Sequence, residues 1–459
     1  MQRKRHSLHL YSKRFKKDTY ENLFNKLCIL LFIAHFIACS HDAVDEMSVF
    51  TEDGTVVNTF KVSENEARET LMSFLDRFDT SSSGGARSTS QRTIKDIQAF
   101  NVNPMTRASS DDGYELPEDL ETLFYLINFN DNQGFGIVSG DKRTTPVLAI
   151  IDEGGLSLDT LSRVDNPGFL MFLDQVVVMQ LNEIAEYDSQ TGARPLPVSP
   201  ETRATPGDVS PRLQTKWSQG APYNKFAPNG VTGCVITAAA QALSYFQTIG
   251  HVQWQYQNTY GASPLNWSQI IADSEDYLGG YGRLHRTALE HAQSADQVSH
   301  LMRYLGVTLK ATYNKGNKKE GPSTSADSGD AIKHLKNWCG LSSSTSLRDY
   351  NADGVRVALQ HNPNSLVWAR GNGNRTNKFL GMIYTYKDGH AWIIDGIRII
   401  GSTDYVHCNW GWGGKCDGYF VSGSFNTQAP PAFLDPIDDD PGTEPYNYRY
   451  KKQYAVLSR

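Results

Sequence analysis

Apolar and polar positions divide the chain into stretches of different rhythm. From Ser63 to Phe78 (SENEARETLMSFLDRF), Ala67, Leu71, Phe74 and Leu75 recur at the spacing of one helix face, behind an acidic start and a serine suited to capping. That pattern predicts a helix. The Ser/Gly stretch Thr80 to Ser90 and the polar run Thr106 to Asp112 predict loops. Leu123 to Phe129 (LFYLINF), Gly134 to Val138 (GFGIV) and Val147 to Ile151 (VLAII) are short β-branched and aromatic runs separated by Asn/Asp/Gly turns, and predict antiparallel strands. From Pro195 to Pro211 the chain becomes a string of Pro, Ser, Thr and Gly without apolar periodicity, an exposed linker of the kind proteases cut.

Beyond the linker the rhythm changes twice. Cys234 to about Gln247 (CVITAAAQALSYFQ) is Ala-rich and apolar, a buried core helix whose first residue follows a loop ending in Gly233. Helices also fit Ala295 to Leu305 and Ala331 to Trp338. Strands then fit Ser365 to Ala369, Ala391 to Ile400, Tyr405 to Trp410, Gly418 to Val421 and Tyr454 to Leu457. Helices followed by an antiparallel sheet make an α+β domain.

Length agrees with two folded units plus a terminal segment, since 459 residues exceed what one core holds. Apolar content of 39% and 20% charged residues belong to a soluble globular chain. A net charge of −6 gives no basic field for phosphate contacts, which argues against nucleic acid as a partner. The N-terminus alone departs from this: eight Lys and Arg stand against two acids in residues 1–26, followed by the apolar run Leu27 to Ala38. A dozen residues is the length of a signal peptide and short of the ~20 that span a membrane, so residues 1–38 are read as an export signal. The run ends at Ala38-Cys39-Ser40, similar to a lipobox, which makes Cys39 a candidate for lipidation and membrane attachment at the cell surface. Of the six cysteines two lie in this leader and four are scattered, so no disulfide framework is expected. Cys408, Cys416 and His407 lack the spacing of a structural zinc site, and neither a metal nor an organic cofactor is expected.

Chemistry enters at Cys234. A thiol at a helix N-terminus beside a histidine becomes a strong nucleophile because both favour the thiolate, and free backbone N–H groups there can hold an oxyanion. Gln219, in the preceding loop, is the candidate second donor. Gly389-His390-Ala-Trp-Ile-Ile-Asp395-Gly places a histidine at the mouth of an apolar strand. Asp395, five residues on, points to the opposite face of a regular strand and is assigned to turn formation. A hairpin through Gly401 to Asp404 instead brings Asn409 near His390, and neutral Asn suffices where the resting pair is already thiolate and imidazolium. Trp410 and Trp412 follow as candidate shields of that hydrogen bond.

Four blocks in order, Trp217 to Asn224, Gly233 to Gln241, Gly389 to Gly396 and Asn409 to Phe420, resemble the streptopain family of bacterial cysteine peptidases, of the papain-like fold group. The resemblance covers about Leu213 to Arg459. It implies Cys234 as nucleophile, His390 as general base, Gln219 as oxyanion donor, and Asn409 with Trp410 as support for the histidine. Phe124 to Asp131 and Gly134 to Asp141 look similar to the family's propeptide, which implies an inhibitory prodomain that keeps Cys and His apart until it is removed. The expected organisation is a signal peptide at 1–38, a prodomain at 39–205 with its linker near 190–212, and a papain-like domain at 206–459 acting on proteins or peptides. Longer loops at Asn314 to Asp330 and Gly371 to Gly389 are expected to border the cleft. A Cys-His acyltransferase would need an acid where Asn409 stands; an inactive, protein-binding homologue would not need all four site elements.

Overall fold

The computed structural model describes residues 59–80, 92–102, 116–189, 207–275, 288–317, 321–371, 375–376, 385–386, 389–426 and 452–459. The export signal, Cys39, the two upstream loops, most of the linker and most of 372–388 lie outside the described residues.

The upstream part runs α1 (Glu64–Thr80), β1 (Ile94–Asn101), β2 (Thr122–Phe129), β3 (Phe135–Ser139), β4 (Val147–Ile151) and α2 (Pro167–Ser189). Downstream follow α3 (Cys234–Phe246), β5 (His251–Tyr256), β6 (Thr259–Pro264), α4 (Trp267–Ala272), α5 (Ala288–Thr308), β7 (Thr312–Asn314) and β8 (Ser323–Ser325). Then come α6 (Ser328–Trp338), β9 (Ser343–Ser344), β10 (Arg348–Asp349), α7 (Ala352–His361), β11 (Ser365–Gly371), β12 (Arg375–Thr376) and β13 (Thr385–Tyr386). The chain closes with β14 (His390–Ile400), β15 (Thr403–Asn409), β16 (Gly418–Val421) and β17 (Lys452–Ser458).

Local chemistry accounts for the helix starts. Ser63 Oγ accepts from Glu66 N–H (3.3 Å) while the Glu66 carboxylate accepts from Ser63 N–H (2.7 Å), the reciprocal cap expected for α1. Sequence periodicity missed α2. It begins with Asn166, whose Oδ1 accepts from the N–H groups of Gly168 and Phe169 (3.1 Å each), followed by Pro167 at the first helical position. Phe169, Leu170, Phe172, Leu173, Val176 and Val177 are all buried, so α2 is apolar nearly all round and shows no amphipathic stripe.

One sheet joins the two parts, in the order β1-β2-β3-β4-β16-β15-β14-β11-β17-β10 with β9 also on β17. The seam is antiparallel: Ala149 faces Phe420, Ile150 faces Tyr419 and Ile151 faces Gly418. Across it, Phe74 and Phe78 of α1 meet the rings of Tyr405 and Tyr419 edge-on, at 5.1 and 4.9 Å between centroids. The two faces of the downstream sheet serve different cores. Trp368, Ala391, Ile393 and Ala455 pack with α3 and α5, whereas Ala369, Trp392, Ile394 and Tyr454 pack into a core shared with α1, α2 and the upstream strands.

Three expectations are corrected. The linker ends earlier than its composition suggested, because Asp208 already accepts from Arg398 (3.0 Å) and from Ile399 N–H (2.9 Å), and Val209 bridges Ile397. The stretch from Asn314 is not loop throughout, since β7 and β8 pair as a hairpin. Asp395 makes no turn: it is fully buried inside β14 at a register shift, accepting from Leu213 N–H (2.8 Å) and bonded to His407 Nδ1 (2.6 Å).

Candidate active site

Gly233 sets the entry to α3. Its φ of 93° is costly for a side chain, and a Cβ would stand 2.7 Å from the carbonyl oxygen of Thr324 in β8. The tight approach delivers Cys234 at the first position of α3, half-buried. Its sulfur lies among the N–H groups of Ala391, Val235 and its own backbone. Ala391 is the neighbour of His390, so the helix start and the histidine strand abut at the sulfur.

The two reactive groups are nevertheless unpaired with each other. His390 is 4% exposed and donates through Nε2 to the carbonyl of Trp410 (2.8 Å), which fixes the tautomer and leaves Nδ1 as the basic nitrogen. Its ring lies among Trp392, Trp410 and Trp412, with centroids at 6.2, 6.3 and 5.7 Å. Over it stands the first turn of α2: a Cβ on Gly168 would be 2.2 Å from the Trp410 ring and 2.8 Å from His390 Cδ2. The entry to that turn is tied down where Asn166 Nδ2 donates to the carbonyl of Lys415 (2.8 Å).

This enclosure works against the charges expected of the pair. Burial pushes the Cys234 thiol up, against the backbone N–H groups that favour the thiolate, and pulls His390 down to about 4 despite the Trp410 carbonyl. With the upstream part in place, burial thus works against both the thiolate and the imidazolium.

Asn409 reaches the same corner by the predicted hairpin, with β14 turning into β15 through Gly401 and Ser402. Its side chain is occupied elsewhere: Oδ1 accepts from Gln241 Nε2 (2.8 Å) and Gly411 N–H (3.1 Å), and Nδ2 donates to the Thr215 carbonyl (2.9 Å). The nitrogen that Asn409 was expected to hold is held by the carbonyl of the next residue. Gln219 is half-buried in the loop before α3, where its carbonyl accepts from Thr232 N–H (3.1 Å), and its side-chain amide has no hydrogen-bond partner among the described residues.

Sequence reasoning passed over Gln241. It is fully buried on α3 and links three site segments, accepting from Trp217 N–H (3.0 Å) while donating to Asn409. The signal was present: a lone amide in an apolar helix, two turns from Cys234 and therefore on the same face. Asp417 was missed as well. Its Oδ1 accepts from Trp410 N–H (2.9 Å), and burial raises its carboxyl to about 7.

Comparison with known proteins bears on the chain's family. Residues 217–420 fit the model of the Peptidase C10 family, and residues 60–177 fit that of the Spi protease inhibitor. Streptopain of Streptococcus pyogenes is 25% identical over 414 residues, covering 81% of this chain and 87% of its own length. Residues 217–420 are thus a cysteine peptidase domain of the Peptidase C10 family. The thiol protease/hemagglutinin PrtT of Porphyromonas gingivalis is 22% identical over 374 residues, 74% of this chain and 39% of the relative. Among solved structures, a fragment of prointerpain A from Prevotella intermedia is 21% identical, covers 79% of this chain and 98% of its own, and superposes with a TM-score of 0.47. Ahead of this peptidase domain, the inhibitor-like region takes in α1, the four upstream strands and the first half of α2, including the turn that lies on His390.

Proposed function

We propose that the chain is an exported cysteine endopeptidase made as a latent precursor, with Cys234 as nucleophile and His390 as general base. The carrying observation is the meeting of opposites at one point: Cys234 heads α3 at the start of the histidine strand, while His390 is turned into a pocket roofed by Gly168. Once α2 leaves, water and substrate reach both groups and the penalty on their charged forms falls. The Cys234 thiolate then attacks a peptide carbonyl, a C–S bond forms, and the oxyanion is held by the Cys234 N–H and the Gln219 amide. Collapse breaks the C–N bond, with His390 giving its proton to the leaving amine. Water, deprotonated by His390, then cleaves the thioester and frees the thiol. Trp410 shields the histidine, and Asn409, engaged with Gln241 and Thr215 in the closed chain, supports it through the ring nitrogen after opening. Export follows from the leader at 1–38, and Cys39 is its candidate lipid anchor.

The test follows the mass of the leaderless chain in reducing buffer beside Cys234→Ala. The parent shortens within residues 190–206 and then hydrolyses casein, whereas Cys234→Ala persists at full mass and stays inactive by at least about 10⁴-fold. If the parent remains inert on casein even after another protease has cut the linker, the proposal fails.

A further inference from the structure

Three strands place His390 in a row with two residues that the chemistry does not use. Gly371 of β11 faces His390 of β14 on one side and Lys452 of β17 on the other. Residues directly opposite on adjacent strands point to the same face, so Lys452 lies on the histidine's side of the sheet, about 10 Å away across two strand spacings. Lys452 is 1% exposed.

Helix α2 runs along this row. Gly168 lies on His390, and a Cβ on Gly371 would stand 2.3 Å from Met171 Sδ and 2.8 Å from Lys452 Cδ. Asp174, fully buried, is the next residue in the same series and acts electrostatically on Lys452. Three helical residues advance about 4.5 Å, close to the ~4.8 Å between strands, so positions 168, 171 and 174 step over β14, β11 and β17 in turn. Burial lowers the Lys452 ammonium to about 7, with Asp174 opposing that shift. Lys452 thus lies within electrostatic reach of Asp174, under a helix that belongs to the inhibitor-like region and its continuation, and gains water if that helix leaves.

Resting on the peptidase reading above, we propose that Lys452 is a specificity residue of the processed enzyme. In the open cleft its ammonium takes an acidic side chain of the substrate, within about three residues of the scissile bond, at the place Asp174 holds in the precursor. Gly371 keeps the floor between His390 and Lys452 low enough for a peptide to cross.

The whole chain, processed at its linker, is assayed on peptides that differ only in Glu or Gln at each position from three before to three after the cut. At one position the parent prefers Glu by about five- to tenfold in kcat/KM. Lys452→Arg keeps that ratio, and Lys452→Met brings it close to one. In the parent alone the ratio also shrinks when salt rises from about 0.05 to about 0.5 M, as it must for an exposed charge pair. Hydrolysis without any Glu preference, or a preference that survives in Lys452→Met or is insensitive to salt, overturns the inference and leaves the peptidase reading intact. Failure to cleave any peptide, together with failure of a thiol-directed peptidyl inhibitor to label Cys234, overturns both.

Discussion

The two halves of the proposed catalytic pair rest on different ground. Cys234 heads α3, whose buried residues Ile236, Ala239, Ala240 and Leu243 pack with α5, α6 and one face of the sheet, a core built wholly from residues after 213. His390 stands beside Trp392 and Trp410, members of a core that also contains Phe74, Phe135, Phe169 and Phe172 from the upstream part. Removing the upstream part therefore leaves the support of the nucleophile intact and uncovers that of the base. The latency proposed above would then not require unfolding the nucleophile, only that one helix turn hold the histidine in its pocket.

The sharpest way to break this comparison is to weaken each core by one side chain. Phe172 is fully buried, with its ring 4.7 Å from Phe420 across the seam; Leu243 is fully buried on α3. Phe172→Ala should cost about 3–5 kcal/mol and Leu243→Ala about 2–5 kcal/mol. The consequences differ in kind. Phe172→Ala matures faster and yields a processed enzyme with the parent's kcat/KM, whereas Leu243→Ala lowers the urea midpoint of precursor and processed enzyme alike. Equal damage to both forms by Phe172→Ala would show that the cores are not separable.

A polar contact on the same seam adds a pH dependence. His407 of β15 bonds Asp395 through Nδ1 (2.6 Å) and Asp152, at the end of β4, through Nε2 (3.0 Å). The Tyr419 ring lies edge-on at 5.0 Å, Asp417 is close enough to feel its charge, and Lys216 pairs with Glu153 alongside. Burial opposes charge on His407, but Asp395 and Asp152 outweigh it and hold the imidazolium well above the ordinary value. A raised folded pKa gives stability that is complete below about pH 6.5 and is lost as pH rises through the folded value. Urea midpoints of the Cys234→Ala precursor should therefore decline on the alkaline side. His407→Gln should lower the neutral-pH stability by about 3 kcal/mol, the low end for a broken buried pair because Asp152 is about one-third exposed, and should flatten that decline. An unchanged alkaline slope in His407→Gln would assign the decline to another group.

The difference between the halves also governs what could be read from sequence. The capping box at Ser63, the strands at 390–400 and 403–409 and the helix start at Cys234 are local signals, written in periodicity and caps, and they stand close to where they were expected. The seam is non-local: nothing in VLAII or GYFV says that β4 and β16 will pair, because both read only as short buried strands. α2 was illegible for a related reason, since a helix buried on most sides loses the stripe that would reveal it. At the site, Cys234, His390 and Asn409 are proposed from residue type and block order. Their engagement could not be read that way, because the Asn409 amide bonds Gln241 and Thr215, and His390 bonds a backbone carbonyl, which carries no side-chain signature. Asp395 was misjudged as a turn former, because its partner His407 lies on the next strand, where no local signal shows it.

The smallest expected effect isolates the helix turn itself. Adding one methyl at Gly168 puts a Cβ where the Trp410 ring lies 2.2 Å away, so either the ring or the first turn of α2 must shift. Overpacking of this kind costs about 1–3 kcal/mol, partly offset because Ala favours a helix over Gly by up to about 1 kcal/mol. A net loss near 1.4 kcal/mol loosens the roof over His390 about tenfold. The readout is the rate at which a peptidyl thiol reagent labels Cys234 in uncleaved precursor, taken by mass before processing begins. Gly168→Ala should label about tenfold faster than the parent as precursor and at the parent's rate after processing, since residue 168 has then departed. Equal rates in the precursor would mean that the turn is not what withholds the histidine, and the division between a self-supported nucleophile and a covered base would have to be sought further along α2, at Met171 and Asp174.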